Sequence, residues 1–126
     1  MQLNRYTIKM WQGATFNFTI TVKDASGNTK NLENCTALMQ IRPNYYSGGV
    51  TETLSSANGE ILISGNTGNV SLVLSATRTA NIPVDMFDDH KPPRTKYVYD
   101  LDLTDSSNNV TKLIYGDVYV YGEVTR

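Results

Sequence analysis

Polar and apolar residues alternate in short runs along the chain. The clearest run is Tyr97-Val98-Tyr99-Asp100-Leu101-Asp102-Leu103-Thr104. Neighbouring side chains on a strand point to opposite faces, so Tyr97, Tyr99, Leu101 and Leu103 make one greasy face. The other face carries Val98, Asp100, Asp102 and Thr104. Asp105-Ser106-Ser107-Asn108-Asn109 is a turn-forming cluster, and Val110 to Tyr115 is a second apolar run. Together they predict a hairpin that needs a second layer to cover its apolar face.

The rest of the chain repeats the pattern. Tyr6 to Trp11 reads as a short strand, with a tight turn at Gln12-Gly13. Ala14 to Asp24 is the longest predicted strand, with Phe16, Phe18, Ile20 and Val22 inside and threonines outside. Asp24 to Asn28 is a hairpin-type turn, and Leu32 is expected to tuck inward from the connection Asn31 to Asn34. Thr36 to Arg42 is a strand with Ala37, Met39 and Ile41 on one face, stopped by Pro43. Val50 to Leu54 reads as a short edge strand, followed by strands at Glu60 to Ser64 and Asn69 to Leu74. Ser75 to Asn81 is the one helical candidate, capped by Ser75 and closed by Pro83. Val84 to Thr95 is expected to be a loop exposing Met86 and Phe87. Asp117 to Val124 is the last strand, and Gly116 before it suggests a bulge or tight bend. Seven to nine short strands with frequent turn signals predict an all-β sandwich or barrel with one short helical turn.

Composition narrows the function classes. The 126 residues suit one domain, 1–126, with 40% hydrophobic and 18% charged residues, a folded balance. A net charge of −1 gives no footprint for nucleic acid or an anionic membrane surface, so neither is an expected partner. The lone Cys35 excludes an internal disulfide and is expected to be a small core or strand residue. No run approaches the length of a membrane span, and no export signal stands at the start, so a soluble chain made in a cytosol is expected. Asn17, Asn34, Asn69 and Asn109 each fit a glycosylation acceptor pattern, read here as chance in an Asn- and Thr-rich β protein.

Candidate chemistry is thin. Asp100 and Asp102 share a strand face but read as solvent-facing acids rather than an acid/base pair or calcium site. Asp88-Asp89-His90 sits in a Pro-flanked loop and reads as solvated. No phosphate loop, nucleophile elbow or zinc spacing occurs, so neither metal nor cofactor is expected and the protein is read as non-enzymatic. The tyrosines carry more information, because their large apolar bodies with polar tips suit protein interfaces. Candidate interface residues are Tyr45 and Tyr46 in a loop, Met86 and Phe87, and Tyr119 and Tyr121 opposite the valines of the last strand. Val73 and Val98 could extend the Tyr119 stripe. Arg126 is expected close to the fold.

Tyr99-Asp100-Leu101-Asp102-Leu103-Thr104-Asp105, Lys112-Leu113-Ile114-Tyr115-Gly116-Asp117-Val118 and Glu123-Val124-Thr125-Arg126 resemble a recurrent small virion protein of tailed bacteriophages. Gln12-Gly13-Ala14-Thr15-Phe16, Asp24-Ala25-Ser26-Gly27, Asn31-Leu32 and Ala37-Leu38-Met39-Gln40-Ile41-Arg42 add to the likeness in the same order. The Pro-rich insert from Asp88 to Thr95 departs from that pattern. The resemblance implies an immunoglobulin-like β-sandwich and a structural role in the virion. It implies an adaptor in the tail or baseplate that attaches a fibre, present in multiple copies in a symmetric assembly put together in the host cytoplasm. Its partners would be other virion proteins, and the family has no catalytic residues to carry over. Two other roles are open: a capsid decoration protein on the head, and a carbohydrate- or receptor-binding module using Tyr45, Tyr46, Trp11, Asp88 and Asp89. A sugar platform would expose Trp11 or a tyrosine beside carboxylates.

Overall fold

The computed structural model describes residues 4–46 and 49–125. Among the described residues, nine strands and one helix are β1 (Asn4–Arg5), β2 (Ile8–Trp11), β3 (Phe16–Thr21), β4 (Thr36–Arg42), β5 (Glu52–Ser55), β6 (Ile61–Ser64), β7 (Asn69–Leu74), α1 (Ala76–Ala80), β8 (Arg94–Thr104) and β9 (Val110–Tyr121). They form two sheets. The larger runs β1-β9-β8-β4-β5, with β2 also paired to β9; the smaller runs β3-β7-β6. Lettered in chain order, β3 to β9 are B, C, C′, D, E, F and G. Sheet GFCC′ therefore faces sheet BED, the immunoglobulin-like arrangement of an all-β sandwich. The N-terminal strands lie parallel to β9.

The core lies where the alternating rows meet. Met39, Ile41, Leu54, Leu101, Val118 and Val120 point in from the large sheet, and Ile61, Val70, Leu72 and Leu74 from the small one. All are at most 1% exposed, and each contributes about 1.5–3 kcal/mol by leaving water. Phe16, Phe18 and Ile20 pack at the open side of this cluster and remain half-buried. Leu32 is buried, as its sequence context predicts, and Cys35 is half-buried against the core. The Asp105 turn joins β8 to β9 in the expected hairpin. Ser75 caps α1 by accepting a hydrogen bond from the Arg78 N–H.

Several boundaries differ from expectation. The span Ala14–Asp24 contains only six strand residues, because β3 pairs only with β7 and can be no longer than its partner. The longest strands are β8 and β9, of 11 and 12 residues. Arg94 and Thr95, expected in a loop, open β8 because β9 extends opposite them to Tyr121. The last two predicted strands are one, with no break at Gly116; the bulge is Leu113, the extra residue between the pairs Leu101–Ile114 and Asp102–Lys112. β9 ends at Tyr121, and Val124 is 86% exposed. The strand predicted over Tyr6–Trp11 begins only at Ile8, as β2, and a separate β1 covers Asn4–Arg5, with Tyr6 and Thr7 as the break between them. At the break the Tyr6 carbonyl lies over Gly116 and accepts a hydrogen bond from the Tyr99 hydroxyl (2.7 Å). Arg126, Ser47, Gly48 and residues 1–3 lie outside the described residues.

Candidate interaction face

The strand register builds the site on the outer face of the large sheet. β2 and β8 flank β9, so Trp11, Tyr121 and Arg94 form one row across the three strands. Lys9, Tyr119 and Lys96 form the next row. Side chains in such rows point the same way and touch directly or diagonally. Trp11 stacks on Tyr121 with ring centroids 4.9 Å apart. The Arg94 guanidinium lies 4.5 Å from the centre of the Tyr119 ring. Contacts of these two kinds each contribute about 0.5–1.5 kcal/mol. They fix the rings on a rigid sheet while Trp11 stays 49% exposed.

The Pro-rich insert positions Arg94. Asp88 Oδ2 accepts hydrogen bonds from the His90 backbone N–H (3.0 Å) and from His90 Nδ1 (2.7 Å). Arg94 Nη2 lies 3.1 Å from His90 Nε2. A guanidinium only donates, so His90 Nε2 accepts and the imidazole proton sits on Nδ1, facing Asp88. The His90 side-chain and backbone hydrogen bonds hold the Asp88 carboxyl below the usual carboxylate range. The chain Asp88–His90–Arg94–Tyr119 thus runs from the loop onto the sheet. The loop expected to be merely solvated is an ordered arm of the face.

Charge on this patch is one-sided. Among the described residues, Lys9, Lys96 and the Arg94 guanidinium have no carboxylate in salt-bridge range. Asp117, one step along β9, pairs with Arg5 at 3.6 Å. Glu123 borders the patch beside Gly13. At the far end of the sheet face Asp100 and Asp102 share Lys112, whose Nζ lies 3.2 and 2.8 Å from them. Those two carboxylates, Asp102 first, hold the ammonium above the usual lysine range. The acidic pair is therefore half of a surface ion cluster. Among the described residues no three His, Cys, Asp or Glu side chains are placed to hold a metal ion, and no helix is long and apolar enough to cross a membrane.

The six sequence candidates do not form one surface. Tyr119 and Tyr121 are half-buried members of the face. Met86 is not exposed as expected: its sulfur packs over Gly122, where a Cβ would come within 2.5 Å of it. Phe87 beside it is 96% exposed. Tyr45 is exposed and lines a cavity of about 200 Å³ with Gln40, Arg42, Val98 and Asp100, further across the same sheet. Tyr46 is 90% exposed in the same loop. Val98 does not extend the stripe, because it is 7% exposed, and Val73 sits in the other sheet. Lys9, Arg94 and Lys96 were not sequence candidates. Their signal is the alternation Lys9-Met10-Trp11 and Arg94-Thr95-Lys96-Tyr97, which gains meaning only once both segments are known to flank β9. No family model matches the chain, and no curated protein matches it.

Proposed function

We propose that the chain is a non-enzymatic assembly component of a tailed-phage virion, an adaptor in the tail or baseplate that binds neighbouring protein subunits. The observation that supports this reading best is the preordered aromatic and cationic row on a rigid sheet face. Trp11, Tyr119, Tyr121 and Arg94 combine large apolar area with polar tips at low entropic cost, the composition of protein interface centres. The virion setting rests on the sequence resemblance. A disulfide-free sandwich suits that role, because its outer faces and edges are available to neighbours while its core holds the fold.

The test is localisation. In purified particles, an antibody against the chain is expected to label the tail or baseplate. Label confined to the head would replace the adaptor role by decoration, and absence from the particle would overturn the virion reading. A carbohydrate-binding role has two observations in its favour, the exposed Trp11 and the exposed Tyr45 in a cavity with Asp100. Around Trp11 itself, lysines and an arginine outnumber the one bordering carboxylate, Glu123, whereas a neutral sugar calls for carboxylates. Glycan binding without incorporation into particles would favour that alternative.

A further inference from the structure

We propose that the outer-face patch built from Lys9, Trp11, Arg94, Lys96, Tyr119 and Tyr121 is a docking site for an acidic segment of another protein. The inference rests on the adaptor reading only in taking its occupant to be protein. Its main support is charge complementarity. Three cations lie on two adjacent rows of one sheet face, without a carboxylate partner among the described residues. The patch is also rich in donors: two ammonium groups, a guanidinium, the Trp11 indole N–H and two tyrosine hydroxyls. Carboxylates supply acceptors alone and in number, and charge-assisted bonds to them are the stronger kind. Aliphatic or aromatic side chains of the same segment would lie along the exposed ring edges.

Other occupants fit less well. In a second copy of this chain, Asp100 and Asp102, the acidic end of the same face, already hold Lys112. Nucleic acid would meet a chain of net charge −1, without the overall excess of basic residues that a phosphate backbone draws on. An anionic polysaccharide would stack on ring faces. One face of Tyr119 is taken by Arg94, and Trp11 and Tyr121 take one face of each other.

Trp11 is the only tryptophan, so its emission reports directly on the patch. The full chain is titrated with a short peptide of alternating glutamate and leucine, its glutamine counterpart, dextran sulfate and oligo-dT. The acidic peptide is expected to change Trp11 emission saturably, and the glutamine peptide is not. The double variant Lys9→Glu, Lys96→Glu should weaken acidic-peptide binding about tenfold, with raised salt acting in the same direction. Lys23→Glu, an exposed reversal beyond β3, should leave binding unchanged. Circular dichroism verifies folding, and Lys9→Gln with Lys96→Gln replaces the reversals if they unfold the chain. Equal response to both peptides, equal loss on Lys23→Glu, or saturation by dextran sulfate or oligo-dT without a peptide response would overturn the proposal. The measurement needs no particle, so a chain absent from virions that still binds the acidic peptide would sink the adaptor reading and leave this site standing.

Discussion

A methyl group at position 116 would have nowhere to go. Gly116 has φ +147°, and a Cβ there would lie 2.6 Å from the Tyr6 carbonyl oxygen. That oxygen cannot retreat freely, since it accepts from the Tyr99 hydroxyl while the Tyr6 N–H donates to Tyr115. Gly116→Ala is therefore expected to cost about 3 kcal/mol in denaturant unfolding, combining backbone strain with displacement of the N-terminal segment. Asp105 acts more locally. Its carboxylate accepts hydrogen bonds from the Asn109 and Ser107 N–H groups, at 3.0 and 2.9 Å, and holds Asn108 at φ +65° in the β8–β9 turn. These bonds, Asn109 first, keep the carboxyl below its usual range. A folded pKa below the unfolded one stabilises above the unfolded value, near about 3.9, and the gain fades as pH falls through the lowered folded value. Asp105→Asn should thus lower the thermal midpoint at pH 7. The gap to the parent should narrow as pH falls below the unfolded value and close as it passes through the lowered folded one, which thermal melts across pH would read. A gap independent of pH would count against the charged acceptor.

Among the elements, α1 is only five residues long but ties several others together. Its Arg78 pairs with Glu52 at the start of β5 and with Glu60 (3.0 Å) just before β6, and donates to the Thr53 carbonyl (2.9 Å). Glu52 in particular holds the guanidinium above its ordinary range. One side chain thus links the crossover helix to both sheets. Arg78→Met removes the cation that pairs with two largely covered carboxylates. A loss of about 1–2 kcal/mol is expected after discounting for the partial exposure of Arg78, and part of it should return with Glu52→Gln added. Chemical denaturation of the two variants and the parent checks this. Nothing in the sequence around Ser75 to Asn81 announces the clamp, because its acidic partners lie more than fifteen residues upstream. Elements defined by local alternation were readable. β4 runs from Thr36 to Arg42 as its pattern predicts, closed by Pro43, and β7 runs from Asn69 to Leu74. Ends set by a distant partner were not. β3 stops with β7, and Arg94 to Lys96 join β8 only because β9 continues opposite them. The interaction face divides the same way. Tyr119 and Tyr121 were visible from alternation with Val118 and Val120, whereas Lys9 and Trp11 reach them through the parallel pairing of β2 with β9, and Arg94 through the antiparallel extension of β8.

At the scale of the whole molecule, the sandwich offers neighbours two kinds of surface. One is the outer face of the large sheet. The other is the set of open edges, among which β3 stands out: Phe16–Thr21 carries no charge and no proline, the devices that usually keep an edge from pairing. A groove of about 570 Å³ runs between β3 and β2, lined by Tyr6, Trp11, Phe16 and Phe18 among others. Face and edge make opposite predictions. Asn17→Lys places a charge on the edge, at an exposed position that leaves the core untouched. If assembly uses the face, this variant should enter particles at the parental level and give a larger soluble fraction on refolding. Tyr121→Asp removes the ring under Trp11 and adds a negative charge to a cationic patch. It should still fold, at a cost of about 1 kcal/mol for the lost stack, yet be depleted from particles at least about tenfold, the usual scale for removing an interface centre. Quantitative mass spectrometry of particles assembled with each variant decides between the surfaces. Depletion of Asn17→Lys with normal incorporation of Tyr121→Asp would move the interface to strand addition at β3 and leave the aromatic row without a role in assembly.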